Sequence, residues 1–90
     1  MTQIFKYELT RNAHSVLDIH AGAKFLSIAI QNDKPVAWFE INPLAPKVRM
    51  NVLQYETGES KFDDRFQFMG TLMFDNGQYV SHYFLERRGQ

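Results

Sequence analysis

The sequence predicts an all-β fold, a small antiparallel sandwich or strongly bent sheet of about six to seven short strands, formed by one domain over residues 1–90. Three observations carry this. Apolar residues alternate with polar ones along most of the chain, the period of a half-buried strand. The alternating segments are separated by clusters of Asn, Asp, Gly and Pro. No segment repeats its apolar residues at the spacing of a helix.

Taken in order, Phe5, Tyr7 and Leu9 alternate with Lys6 and Glu8, which predicts a first strand ending at the turn-like Thr10-Arg11-Asn12-Ala13. His14 to Ile19, interrupted by Asp18, reads as a short edge strand, because edges are commonly short and charged. Gly22 opens the strongest strand, Ala23 to Ile30, with Leu26, Ile28 and Ile30 expected on one face. The polar Gln31-Asn32-Asp33-Lys34-Pro35 reverses the chain. Val36 to Ile41 then returns as a hairpin partner, with Trp38 on one face and Ala37, Phe39 and Ile41 on the other.

Asn42-Pro43-Leu44-Ala45-Pro46 holds two prolines, which remove ladder donors, so it is a crossing loop. Val48, Met50 and Val52 mark a strand running to about Tyr55. Residues 56–65 form the longest polar stretch. Phe66 to Phe74 resumes the strand pattern, with Gly70 marking a bulge or a close backbone approach. Asp75-Asn76-Gly77-Gln78 contains Asn-Gly, a strong hairpin signal, and Tyr79 to Leu85 pairs back before a charged tail.

Composition narrows the function. Eight Phe, four Tyr and one Trp support a dense core on few residues and also make interface anchors. Ten basic and ten acidic residues leave zero formal charge, which argues against a nucleic-acid duplex as partner and mildly favours a homo-oligomer. There is no cysteine, which excludes thiolate metal sites and fits a reducing cytoplasm. No signal peptide or apolar run long enough to span a bilayer is visible, so a soluble chain outside the membrane is expected.

Four constellations hold chemistry in principle. The acidic loop Glu56, Glu59, Asp63 and Asp64 offers oxygen donors for a hard cation, but Lys61 and Arg65 neutralise it and its spacing departs from calcium loops; a solvated loop is the plainer expectation. His82 shares a strand face with Val80 and Phe84, where it serves either as a ligand contact or as a hydrogen-bonded rim residue. His14 and His20 bracket the edge strand at the surface. Ser81, His82 and Asp75 contain the residue types of a triad, yet neighbours on a strand point to opposite faces, so Ser81 does not reach His82. Finally, Arg49, Arg65, Arg87 and Arg88 with Tyr55, Tyr79 and Tyr83 provide phosphate forks and stacking rings for a nucleotide. Arg49, Tyr55, Arg65, Tyr79, His82, Tyr83 and Arg87 are therefore the candidate ligand-binding or partner-binding residues. No catalytic residue, metal ligand or cofactor is assigned.

Several segments together resemble a known family. Ile4-Phe5-Lys6-Tyr7-Glu8-Leu9, Gly22-Ala23-Lys24-Phe25-Leu26-Ser27, and Gln31-Asn32-Asp33-Lys34-Pro35 followed by Trp38 form one set; Gly70-Thr71, His82 and Phe84 form the other. The chain resembles a domain of unknown function of small phage and prophage proteins. Members often carry an aromatic residue before the histidine, where this chain has Ser81. The resemblance implies a small β domain in a phage setting and lends no catalytic residues. The resulting expectation is a non-enzymatic accessory binding protein that antagonises a host protein or defence component. The alternative is an oligomeric sponge for a nucleotide signal.

Overall fold

A computed structural model describes residues 1–61 and 64–87 of the chain. Seven strands alternate with turns: β1 (Gln3–Glu8), β2 (His14–His20), β3 (Lys24–Gln31), β4 (Lys34–Ile41), β5 (Lys47–Glu56), β6 (Phe66–Phe74) and β7 (Tyr79–Glu86). They form two antiparallel sheets, three strands in the order β1-β4-β3 and four in the order β2-β5-β7-β6. The sheets stack as a sandwich. Two tight hairpins, β3-β4 and β6-β7, lie within a sheet, whereas the chain changes sheets between β1 and β2, β2 and β3, and β4 and β5.

The core is the set of side chains that alternation turns inward. Leu17 and Ile19 of β2, Ala37, Phe39 and Ile41 of β4, Met50 and Val52 of β5, and Tyr83 and Leu85 of β7 meet in one cluster. Tyr7 and Phe25 contact the two sides of the Phe39 ring edge-on, at centroid distances of 5.6 and 5.7 Å. Each large side chain removed from water here contributes roughly 1.5–3 kcal/mol. Ile41, Phe39 and Ala37 face in, while Trp38 faces out and is half-buried.

The β3-β4 hairpin closes on Asn32 and Asp33, both at positive φ (53° and 63°), the backbone of a two-residue mirror-image turn. The strand therefore restarts at Lys34, and Pro35, expected in the turn, lies inside β4. It is tolerated because Leu9 N–H donates to its carbonyl (2.9 Å) at the end of the β1 ladder, where one missing donor is lost to little effect. The β6-β7 loop is longer than Asn-Gly alone and runs through residues 75–78.

Two bulges break the alternation. One falls at Leu26, so that Phe25 and Ile28, not Leu26 and Ile28, point inward, and Leu26 is left exposed. The period-2 count across Ala23 to Ile30 placed Leu26 on the wrong face because one extra residue inverts it. The other bulge is at Met69, next to Gly70 as the sequence predicted. Gly70 has φ +155°, and a Cβ there would sit 2.7 Å from Ile28 Cγ2. The glycine lets β6 close against β3 along one side of the sandwich.

The ends are tied by loops. At one, His20 Nδ1 hydrogen-bonds the Ala45 carbonyl oxygen (2.7 Å) and Ala21 N–H donates to Pro46 O (2.8 Å). At the other, the Arg11 guanidinium lies 4.1 Å from the Phe74 ring centroid and 3.5 Å from the Asp75 carboxylate. Tyr83 donates its hydroxyl proton to the Thr10 carbonyl at 3.2 Å. Among the described residues no helix is long and apolar enough to cross a membrane.

Candidate functional site

The sequence-predicted residues do not converge on one place. Tyr83 is fully buried in the core, its phenol pushed up to about 12 by burial and only partly brought back by the positive Arg11. It is a structural tyrosine. Tyr79 lies at the hairpin end, within 5.9 Å of the Arg11 guanidinium. Arg65 and Arg87 are at the opposite end, where Arg87 N–H donates to Arg65 O (3.3 Å). Arg88 and Asp63 lie outside the described residues. Arg49, Tyr55 and His82 share the outer face of the four-stranded sheet, and there a surface takes shape.

That face is built by parity. Residues Leu53 and Tyr55 of β5, Val80, His82 and Phe84 of β7, and Phe66, Phe68, Thr71 and Met73 of β6 all point away from the core. Tyr55, Phe84 and Phe68 make an aromatic row across the three strands, with centroid separations of 5.7 and 5.3 Å. The row stays open to solvent: Phe68 is 54% exposed and Met73 is 61% exposed. Lys61 reaches over Phe84, its ammonium 4.8 Å from the ring centroid, and helps wall a hollow of about 230 Å³ against Tyr55 and His82.

His82 is held on both ring nitrogens. Nε2 lies 2.8 Å from the Thr57 hydroxyl and Nδ1 lies 2.9 Å from the Thr71 hydroxyl. A neutral imidazole donates through one nitrogen and accepts through the other, and the two hydroxyls rotate to match either tautomer. The histidine thus ties the start of the 57–65 loop to β6. Ser81 points the other way and is buried, and Asp75 is engaged by Arg11, so the three triad residue types are not assembled. In the acidic loop Glu59 Oε1 accepts the Glu56 N–H at 2.7 Å. Among the described residues no three His, Asp or Glu side chains are grouped to hold a metal.

Apart from the exposed Val16, the β2 side of the same face is polar. Arg49 pairs in register with Asp18, and His14 Nε2 hydrogen-bonds Asn51 Oδ1 (2.7 Å). Asn51 in turn donates its N–H and its amide to Glu86 Oε1 at 3.0 and 3.1 Å, which seals the end of the β5-β7 ladder. The surface is an apolar strip with a polar margin.

A second concavity, about 520 Å³, opens between the sheets beside Lys24, Phe25, Met50, Leu85 and Arg87. Phe25, Met50 and Leu85 line part of it, and its polar lining carries Lys24 and Arg87 together with Gln67 and the Glu86 carboxylate.

Sequence reasoning singled out Tyr55 and His82 on the outer face but not Phe68, Met73, Thr57 or Thr71. A signal for the first two was present: β6, Phe66-Gln67-Phe68-Met69-Gly70-Thr71-Leu72-Met73-Phe74, is apolar on both faces, although only one of them meets the core. The threonines carried no such mark.

The model for the domain of unknown function DUF7352 matches residues 1–90. The chain belongs to this family. No curated protein and no solved structure gives a match. This DUF7352 sandwich carries the aromatic row of β5, β7 and β6 on the outer face of its four-stranded sheet.

Proposed function

We propose that this chain is a non-enzymatic binding protein, a phage or prophage accessory domain of the cytoplasm, that holds and antagonises a host protein on the outer face of its four-stranded sheet. The supporting observation is the Tyr55-Phe84-Phe68 row, open to solvent at Phe68, with Met73 exposed farther along β6 beyond the Thr71–His82 pair. Contiguous exposed apolar surface with a polar margin is the anatomy of a protein-binding site, and aromatic anchors carry most of the binding energy at such sites. The outer face of the other sheet exposes Ile4 and Leu26 without an aromatic row. Lys6 Nζ donates to Gln31 Oε1 (2.6 Å), bridging the two edge strands above Val36, which is 2% exposed. The phage origin rests on the sequence resemblance, and the cytoplasmic setting on the absence of cysteine.

The test is native mass spectrometry on protein purified gently from its natural cells, wild type beside a Phe68→Ala, Met73→Ala double variant. A co-purifying protein that the double variant loses, while its melting temperature is kept, supports the proposal. A mass increment of a few hundred daltons in both proteins overturns it in favour of the nucleotide sponge. That second possibility draws on the inter-sheet cleft, where Lys24 and Arg87 offer two cations to an anion against the single Glu86 carboxylate.

A further inference from the structure

A sandwich of two open sheets has four edge strands, and three of them here are dealt with. Strands β3 and β6 lie against each other, and each carries a bulge that disrupts its ladder. Strand β2 has its inward side chains Ser15, Leu17 and Ile19 already buried and holds Asp18 on its outer face between Val16 and His20. Strand β1 differs. Like β2 it is regular and free of proline and bulges, but its inward face is covered only at Tyr7: Gln3 is exposed and Phe5 is 39% exposed.

The direction of the unpaired backbone groups follows from the register. Leu9 N–H bonds Pro35 O, so the odd residues of β1 exchange hydrogen bonds with β4. The two-residue turn agrees, since its closing pair Gln31–Lys34 assigns the even residues of β4 to β3 and leaves the odd ones for β1. The N–H and C=O groups of Ile4, Lys6 and Glu8 therefore point off the edge of the sheet. Thr2 Oγ1 donates to Glu40 Oε2 (2.7 Å), which keeps the chain extended up to the start of the strand.

We propose that this edge is completed by β1 of a second copy of the chain, antiparallel about a two-fold axis through Phe5, joining two three-stranded sheets into one. Only residues of equal parity face each other in such a pair, which leaves few registers. Centring on Lys6 sets two ammonium groups opposite each other, which is repulsive. Centring on Tyr7 drives the pair into the crossing loop, where Thr10 N–H is already bonded to Ser15 Oγ (2.9 Å). Centring on Phe5 places Phe5 against Phe5, Gln3 against Tyr7, Ile4 against Lys6 and Thr2 against Glu8. No like charges meet. Phe5 occupies the close, non-hydrogen-bonded position, so the two rings cover the inward surface that each copy leaves open. The self-complementary strand and the zero net charge are what favour a second copy over a foreign strand.

The absence of cysteine makes the register directly readable. Phe5→Cys under mild oxidation is expected to form a covalent dimer about tenfold faster than Lys6→Cys, because the Cα atoms at position 5 fall within disulfide reach and those at position 6 do not. Lys6→Pro removes an N–H that β4 does not use, so it is expected to keep the fold by circular dichroism while the mass in solution halves from two chains to one. A wild-type protein that remains one chain at about 100 μM overturns the proposal, that concentration being well above a micromolar dissociation constant. So does equal cross-linking at positions 5 and 6, or a Lys6→Pro variant that is folded and still dimeric.

Discussion

Gly70→Ala perturbs a close approach between the two sheets. The new Cβ would stand 2.7 Å from Ile28 Cγ2, and the backbone would have to keep φ +155°, which side chains rarely adopt. Forcing that conformation on an L-residue costs about 1–2 kcal/mol. Relieving the overlap adds about 1–3 kcal/mol, because Cγ2 sits on the branch carbon of a β-branched side chain packed against the core and has little freedom to turn away. Restricting the unfolded chain returns about 0.5–1 kcal/mol. The net loss is about 2–4 kcal/mol, which for a domain of this size lowers the melting temperature by about 10–30 °C. Urea denaturation followed by tryptophan fluorescence measures it. The cause is separated by repeating the substitution in an Ile28→Ala background, where the overlap is gone and the cost of Gly70→Ala should fall to about 1 kcal/mol. A loss below about 1 kcal/mol in the wild-type background, or the same loss in both backgrounds, would refute the close-approach argument.

Three further outcomes are expected. Tyr83 holds its proton to about pH 12 when folded but to about 10 when unfolded, so its contribution is complete below pH 10 and is lost as pH rises toward 12, an alkaline loss of ~2 kcal/mol. Tyr7 is shifted the same way, first by burial and then by the Asp18 carboxylate; Tyr83→Phe should therefore reduce the alkaline loss without abolishing it, in denaturation midpoints measured across pH 9–12. His82→Ala should lower stability by about 1–2 kcal/mol and raise amide exchange at the start of the 57–65 loop, since both threonine hydroxyls lose their partner; unchanged exchange at Thr57 would show that the loop is held by other contacts. Arg11→Ala should cost about 1 kcal/mol by thermal denaturation through loss of its stack on Phe74 and its exposed pairing with Asp75, with most of that effect retained in high salt because the stack is less screened than the ion pair.

The strands were legible because their signal is local. Phe66 to Phe74 reads as a strand from its own residues, and Asn32-Asp33 reads as a reversal from theirs. Leu26 shows where local reading stops: a bulge is stabilised by what lies across the sheet, and nothing in Lys24-Phe25-Leu26-Ser27 announces the extra residue. Of the candidate site, His82 was legible on a strand face with Val80 and Phe84 and Tyr55 as an aromatic at the end of another strand, whereas Tyr83 looked equivalent to Tyr79 until the packing put one in the core and left the other beside Arg11.

The sequence alone determined the all-β class, about six to seven strands with their approximate limits, and the division of the β4 and β5 side chains between two faces, because alternation, turn residues and proline act over a few neighbours. The tertiary structure decided the order β1-β4-β3 and β2-β5-β7-β6, the approach of Gly70 to Ile28, and the gathering of Tyr55, Phe84 and Phe68 from separate strands into one row. Those features depend on which distant segments lie side by side. That choice is made by the shared burial of the whole core, to which each segment contributes only a part.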